Sequence, residues 1–98
     1  MEVKIPHNSS RHEAVAKVQR LLLEAKPQLE QKIKIEEERW DGDTLHFSFS
    51  AEGKQISGQL AVEDTQYHLT AKLPLLMRMF ESRIESMIVE QSKLILGK

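Results

Sequence analysis

Four histidines, an acidic run and one tryptophan are the side chains of this 98-residue sequence that could carry chemistry. His7 and His12 flank the start of a helical stretch, whereas His46 and His68 belong to strand-like runs with another strand between them. A metal or an acid-base pair needs such groups to converge, and neither an H-x-x-x-H pair nor an H-E-x-x-H motif is present. The four are therefore read as solvated surface histidines, with no metal site and no cofactor. Glu36, Glu37 and Glu38, with Asp41 and Asp43 behind them, are the kind of carboxylates that acid-base or cation chemistry uses. Charges on an exposed edge strand also discourage edge-to-edge pairing, and that is the reading adopted. An inward Glu37 or Arg39 would be the exception, a single polar anchor in an apolar pocket.

Other chemistry is excluded more directly. The sequence has no cysteine, which removes thiolate nucleophiles, disulfides and cysteine metal sites, and fits a cytoplasmic address. It has no G-x-S-x-G elbow, phosphate-binding glycine loop or dinucleotide fingerprint, so no catalytic residues are assigned and no enzyme is expected. Trp40, just before a turn, reads as a packing residue. Lys and Arg number 14 against 15 acids, a net charge of −1, which gives no basic surplus for a nucleic-acid backbone. No apolar run approaches the roughly 18 residues of a membrane span, and the opening MEVKIPHNSS has no signal-like apolar core. A chain of this length is expected to form one domain, residues 1–98, with one two-layer core. Aromatic residues make up only 5%, so that core must be mostly aliphatic.

The elements follow from spacing. Glu2 to Ile5 alternates and is stopped by Pro6, which gives a short strand suited to an edge. Ser10 and Glu13 have capping-box spacing, and Ala14, Val15, Val18, Leu21, Leu22 and Ala25 line one face of a helix ending near Lys26, before Pro27. Lys32 to Trp40 begins as a strand but loses its alternation, which predicts a bulge or frayed edge near Glu36 to Arg39. Thr44 to Ala51 alternates cleanly, with Leu45, Phe47, Phe49 and Ala51 on one side. A two-residue loop at Glu52-Gly53 pairs Phe49 with Ile56, Phe47 with Gly58 and Leu45 with Leu60. The same treatment of Glu63-Asp64 pairs Leu60 with Tyr67 and Gly58 with Leu69. Gly58, with no side chain at the centre of the inner face, allows the sheet to bend.

The last segment, Leu73 to Leu96, reads as one long amphipathic helix. Leu76, Met77, Phe80, Ile84, Met87, Ile88, Leu94 and Ile95 form a broad face directed at the sheet. Leu75, Met79, Val89 and Leu96 form a thinner line on nearly the opposite side. A monomer would not need that second line: it is either a set of ordinary exposed apolar residues or a surface that another helix or an apolar partner approaches, and on the second reading it is the candidate interface. The order strand, helix, four-stranded antiparallel meander, helix is an α+β plan, a curved sheet with both helices on one face. Space around Phe47, Gly58, Tyr67, Phe80 and Ile84, between sheet and last helix, is the candidate ligand pocket.

The stretch Trp40-Asp41-Gly42-Asp43-Thr44-Leu45-His46-Phe47, then Gly58-Gln59-Leu60-Ala61-Val62, and the run from Tyr67 to Leu73 leading into Pro74-Leu75-Leu76, resembles the small polyhydroxyalkanoic acid system proteins of bacteria. Those proteins often carry a W-x-G-D-x-L-x-F-like stretch between an N-terminal and a C-terminal helix. The likeness spans essentially the whole chain, but its motifs are turn and core residues. This sequence differs in Thr44-Leu45-His46 after the Gly-Asp and in the proline at the last strand-helix junction. The resemblance implies a cytoplasmic bacterial protein connected with storage-polyester granules, in a family named for genetic association more than for an activity. The element order is also similar to a shortened helix-grip fold, as in lipid-transfer and polyketide-cyclase-like domains, in which a cavity forms under the last helix. Two functions are thus expected. The first is a non-catalytic accessory protein that binds a protein partner, a second copy of itself or a granule surface through Leu75, Met79, Val89 and Leu96. The second is a small hydrophobic-ligand binder for a fatty or hydroxyacyl molecule.

Overall fold

Period-two alternation and helical spacing divide the chain into β1 (Glu2–Pro6), α1 (Arg11–Leu29), β2 (Lys34–Asp41), β3 (Thr44–Ala51), β4 (Lys54–Val62), β5 (Gln66–Lys72), a 3₁₀ segment (Leu75–Phe80) and α2 (Glu81–Leu96). The computed structural model describes the backbone of residues 1–96 and the side chains of residues 1–94. The fold is α+β, a five-stranded antiparallel sheet in the order β1-β5-β4-β3-β2. β1 and β2 are its two edges.

The β3–β4 hairpin has the expected register, with Ala51 opposite Lys54, Phe49 opposite Ile56, Phe47 opposite Gly58 and Leu45 opposite Leu60. Its two turn residues, Glu52 and Gly53, both have positive φ, 53° and 76°, as a tight twisted hairpin requires. The β4–β5 pairing differs from expectation by two residues. Val62 lies opposite Tyr67, Leu60 opposite Leu69 and Gly58 opposite Ala71. A longer loop accounts for the shift, held by Glu63 N–H donating to the Gln66 carbonyl at 2.9 Å and His7 N–H donating to that of Thr65 at 2.9 Å. Because the shift is even, every side chain keeps its face. In β2 the register slips between Ile35 and Glu37, so a bulge lies in the acidic run. The bulge lets Ile35 share the inner face with Glu38 and Trp40, opposite Phe47 and Leu45, and sends Glu37 and Arg39 outward. The inward acid is thus Glu38, and Glu37 and Arg39 pair with each other at 3.4 Å.

Ser10 caps α1 by accepting from Glu13 N–H at 3.1 Å, and its hydroxyl donates to the Glu13 carboxylate at 2.9 Å. Arg11 anchors that end of the helix to two loops, 3.0 Å from Asp64 and 3.5 Å from Asp43. The helix runs three residues past Lys26, through Pro27 to Leu29. Proline removes only the bond to the carbonyl of Leu23, on the exposed side of the last turns, and Glu30 N–H resumes the ladder to Lys26 at 2.9 Å. Ala14 and Val18 then meet Val3, Ile5, Val62 and Tyr67 in the core, and Ile88 and Val89 of α2 pack against the same cluster. Both helices therefore lie on the inner face, α2 toward its β1 side and α1 over its centre, with the end of α1 reaching toward β2. At the start of α2 the Met1 amino group donates to the Ala71 carbonyl at 2.9 Å and lies 2.9 Å from the Glu81 carboxylate. No described helix is long and apolar enough to cross a membrane.

At Gly58 the neighbouring strands approach closely. A Cβ there would run into the carbonyl oxygen of Thr70 and lie 2.8 Å from Cα of Ala71 and 3.0 Å from Cζ of Phe47. Two of those three atoms are backbone, so neither neighbour can yield by changing rotamer. Gly58→Ala is expected to lower stability by about 2–3 kcal/mol, read by urea unfolding. A midpoint unchanged from wild type would show that β4 and β5 are not held this close.

Candidate functional site

The histidines occupy two kinds of environment. His46 and His68 alternate with inward Leu45, Phe47, Tyr67 and Leu69, and so belong to the outer face with β4 between them. His68 Nε2 lies 2.9 Å from the Glu2 carboxylate, and Nδ1 lies 3.7 Å from that of Glu63. The hydrogen bond from His68 and its positive charge hold the Glu2 carboxyl below the ordinary carboxylate range. What this contributes is present above the ordinary carboxylate pKa and is lost as pH falls through the lowered one. Glu2 is fully exposed, so the effect is screened by salt. His12 is exposed as expected.

His7 is not. It is buried, its Nε2 is 2.8 Å from the carbonyl oxygen of Glu63, and its ring lies 4.9 Å from that of Tyr67 at 54°. The residue follows Pro6 directly and continues the β1 edge beyond the strand, which solvated loop composition did not signal. Nδ1 of His7 and the hydroxyl of Tyr67 are both buried without a hydrogen-bond partner among the described residues. Burial pushes the Tyr67 pKa up. Among the described residues no group of three His, Asp, Glu or Cys side chains is arranged to hold a metal ion.

Among the described residues two apolar surfaces are the candidate sites. The first is a groove of about 370 Å³ between α1 and the β2 side of the sheet. Val18, Leu22 and Leu29 form its helical wall, Leu45, Phe47, Phe49, Leu60 and Leu69 its floor, and Ile33 and Ile35 its outer side. It exists because α2 lies at β1 and only the last turns of α1 reach toward β2, leaving the β2 and β3 part of the inner face incompletely covered. Glu37 and Glu38 are the charged residues that line it. The Glu38 carboxylate is 3.8 Å from Lys26 Nζ, a partly exposed pair beside Trp40. Of the residues expected to line a pocket, only Phe47 is here. Gly58 lies between Phe47 and Ala71, Tyr67 is 1% exposed in the main core, Phe80 is exposed, and Ile84 is half-buried on α2. These five residues are not brought together.

The second surface runs along the 3₁₀ segment and α2. Leu75 and Met79 are 78% and 81% exposed, in keeping with their placement on an outer line. Val89 is not on that line, because it packs against the core with Ile88. The side chain of Leu96 lies outside the described residues. The broad face expected to cover the sheet is also divided. Ile84 and Ile88 are half-buried, whereas Leu76, Phe80, Met87 and Leu94 are exposed. Within α2 the side turned to the core carries Ile88 and Val89, which leaves Met87 and Leu94 on the open side. The 3₁₀ winding of Leu75–Phe80, about 120° per residue instead of about 100°, also takes Leu76 and Phe80 off a single helical wheel drawn from Leu73 to Leu96.

An α+β sheet with helices on one face, an apolar groove and an exposed apolar helix edge define the class. The family model described as "Putative polyhydroxyalkanoic acid system protein" matches residues 1–96, and the chain belongs to that family. Comparison with curated proteins and with solved structures finds no match.

The buried tyrosine gives a direct test of the core. Tyr67→Phe removes an unpaired hydroxyl and keeps the ring, so thermal unfolding should be unchanged or shifted upward, by up to about 1–2 kcal/mol. A loss of stability would mean that the hydroxyl has a partner in solution.

Proposed function

We propose that this protein is a non-catalytic accessory component of polyhydroxyalkanoate storage that attaches to an apolar partner surface through its C-terminal segment. The observation that carries this reading is the exposure of Leu75, Leu76, Met79, Phe80, Met87 and Leu94 on one continuous 22-residue stretch, Leu75–Phe80 followed by Glu81–Leu96. Large apolar side chains concentrated this way, with the rest of the helix anchored to the core, form a docking edge and not a scatter of single exposed residues. The family supplies the context, a protein of the polyhydroxyalkanoic acid system. The granule surface is the apolar partner this context offers, and the site of action would be the cytoplasm.

Leu75 and Met79 make little contact with the fold, so replacing both with glutamate should leave circular dichroism and melting temperature near wild type. Burying each side chain against an apolar surface is worth about 1.5–3 kcal/mol. Co-sedimentation of L75E/M79E with polyester granules should therefore fall by about tenfold or more. Association equal to wild type would exclude this surface.

A second reading rests on the groove, whose volume and largely apolar lining suit a small hydrophobic molecule such as a fatty or hydroxyacyl chain. Native mass spectrometry of protein purified from its own host should then show a bound species that Phe47→Glu abolishes. Only apo mass from the wild-type protein would remove this reading.

A further inference from the structure

The exposed side of α2 has a pattern that an apolar surface alone does not require. Phe80, the last residue of the 3₁₀ segment, and Met87 and Leu94 of α2 recur every seven residues, the spacing of a helix-pairing seam. Within the same seam stand Arg83 and Glu90, both exposed and neither in an ion pair among the described residues. Seven residues separate them, about 10.5 Å along the axis, beyond the reach of an intrahelical pair. Opposite charges set at this distance on one seam have a use if the seam meets itself.

We propose that two copies of this chain associate through α2 packed antiparallel on its own image, with Arg83 of each copy paired to Glu90 of the other. This rests on the reading above that the 3₁₀ segment and α2 form a docking surface, and it names a second copy as an occupant. A two-fold axis through Met87 places Phe80 of one copy against Leu94 of the other and stacks Met87 on itself. It also brings Arg83 within one residue rise, about 1.5 Å along the axis, of the level of Glu90 on the same flank. Two identical ion pairs form, as an isologous interface requires. The parallel arrangement would set Arg83 against Arg83 and Glu90 against Glu90, so the charges select orientation as polar residues in coiled-coil seams do. The side of α2 turned to its own core, Ile84, Ile88 and Val89, is not involved.

Sedimentation velocity in granule-free buffer, from about 1 μM to about 1 mM protein, tests the idea. The wild-type chain should shift from monomer to dimer across that range. R83E and E90R, each of which sets like charges across the seam twice, should each weaken association by about tenfold or more. The double variant R83E/E90R should regain the wild-type dissociation constant, and an equimolar mixture of the two single variants should form a mixed dimer more readily than either forms its own. A wild-type monomer throughout, or single variants that dimerise as wild type does, overturns the proposal. So does a double variant as weak as the singles. R83E keeps Leu75 and Met79, so its co-sedimentation with granules reports on the docking reading separately. Granule binding by a chain that never dimerises would remove the self-pairing and leave the docking surface intact.

Discussion

Ala14 and Val18 of α1 meet Val3, Ile5, Val62 and Tyr67 of the sheet, and this contact decides where everything on the inner face lies. Ala14 is fully buried, and its small side chain lets the helix approach the strands closely. The cap at Ser10 and the pairs from Arg11 to Asp43 and Asp64 fix the start of α1 just before that contact. Its remaining turns then cross toward β2, ending at Leu29. Ile88 and Val89 of α2 join the same cluster, so α2 buries its apolar side near β1 while α1 runs on over the sheet. The inner face is wider than the area they cover. The groove beside β2 and the exposed edge of α2 are two consequences of one packing decision.

The bulge in β2 shows how the sheet tolerates an acidic run without burying it. Without the extra residue at Glu36, continuing the alternation back from Trp40 would put Glu38 and Glu36 inward and Ile35 and Ile33 outward. With it, the two isoleucines keep contact with Phe49 and the groove, and only Glu38 turns inward, where Lys26 offsets its charge at 3.8 Å. Both partners remain more than a third exposed, so the pair contributes little stability. Its structural effect is to place opposite charges at the end of α1 beside an otherwise apolar wall.

The meander was legible in the residues because its alternation is redundant. Leu45, Phe47 and Phe49 agree with Ile56 and Leu60 in only one parity, and even the two-residue displacement of β5 left the inner and outer sets unchanged. The bulge was legible for the opposite reason, a break in that alternation. Three features were not. Pro27 marks a helix end in sequence, but so near the last turn it costs a single exposed hydrogen bond and α1 continues. His7 follows a strand-ending proline and carries nothing in its neighbours that would signal burial against Tyr67. The C-terminal segment contains enough apolar residues for two stripes, and choosing between them required knowing that Leu75–Phe80 winds as a 3₁₀ segment and that only β1 and the core beside it receive α2.

Shape separates what the two open surfaces suit. The groove is concave, with walls from α1, β2 and β3, and its capacity limits an occupant to something slender. The edge of α2 is convex, and a convex apolar stripe is covered only by a flat surface or by another convex element whose ridges fit between its own. A flat polyester surface would meet Leu75, Leu76 and Met79 well, since no ionised group interrupts them apart from Arg78, whose long stem lets its charge reach the edge of the contact. Farther along, Arg83 and Glu90 interrupt the stripe at each turn between Phe80, Met87 and Leu94. Pressed against a featureless apolar surface, both would lose water with nothing in exchange. Against a second α2 running the other way, each meets its opposite. The 3₁₀ segment and α2 therefore present different chemistry along one continuous edge, the first almost purely apolar and the second with charges set between its apolar residues.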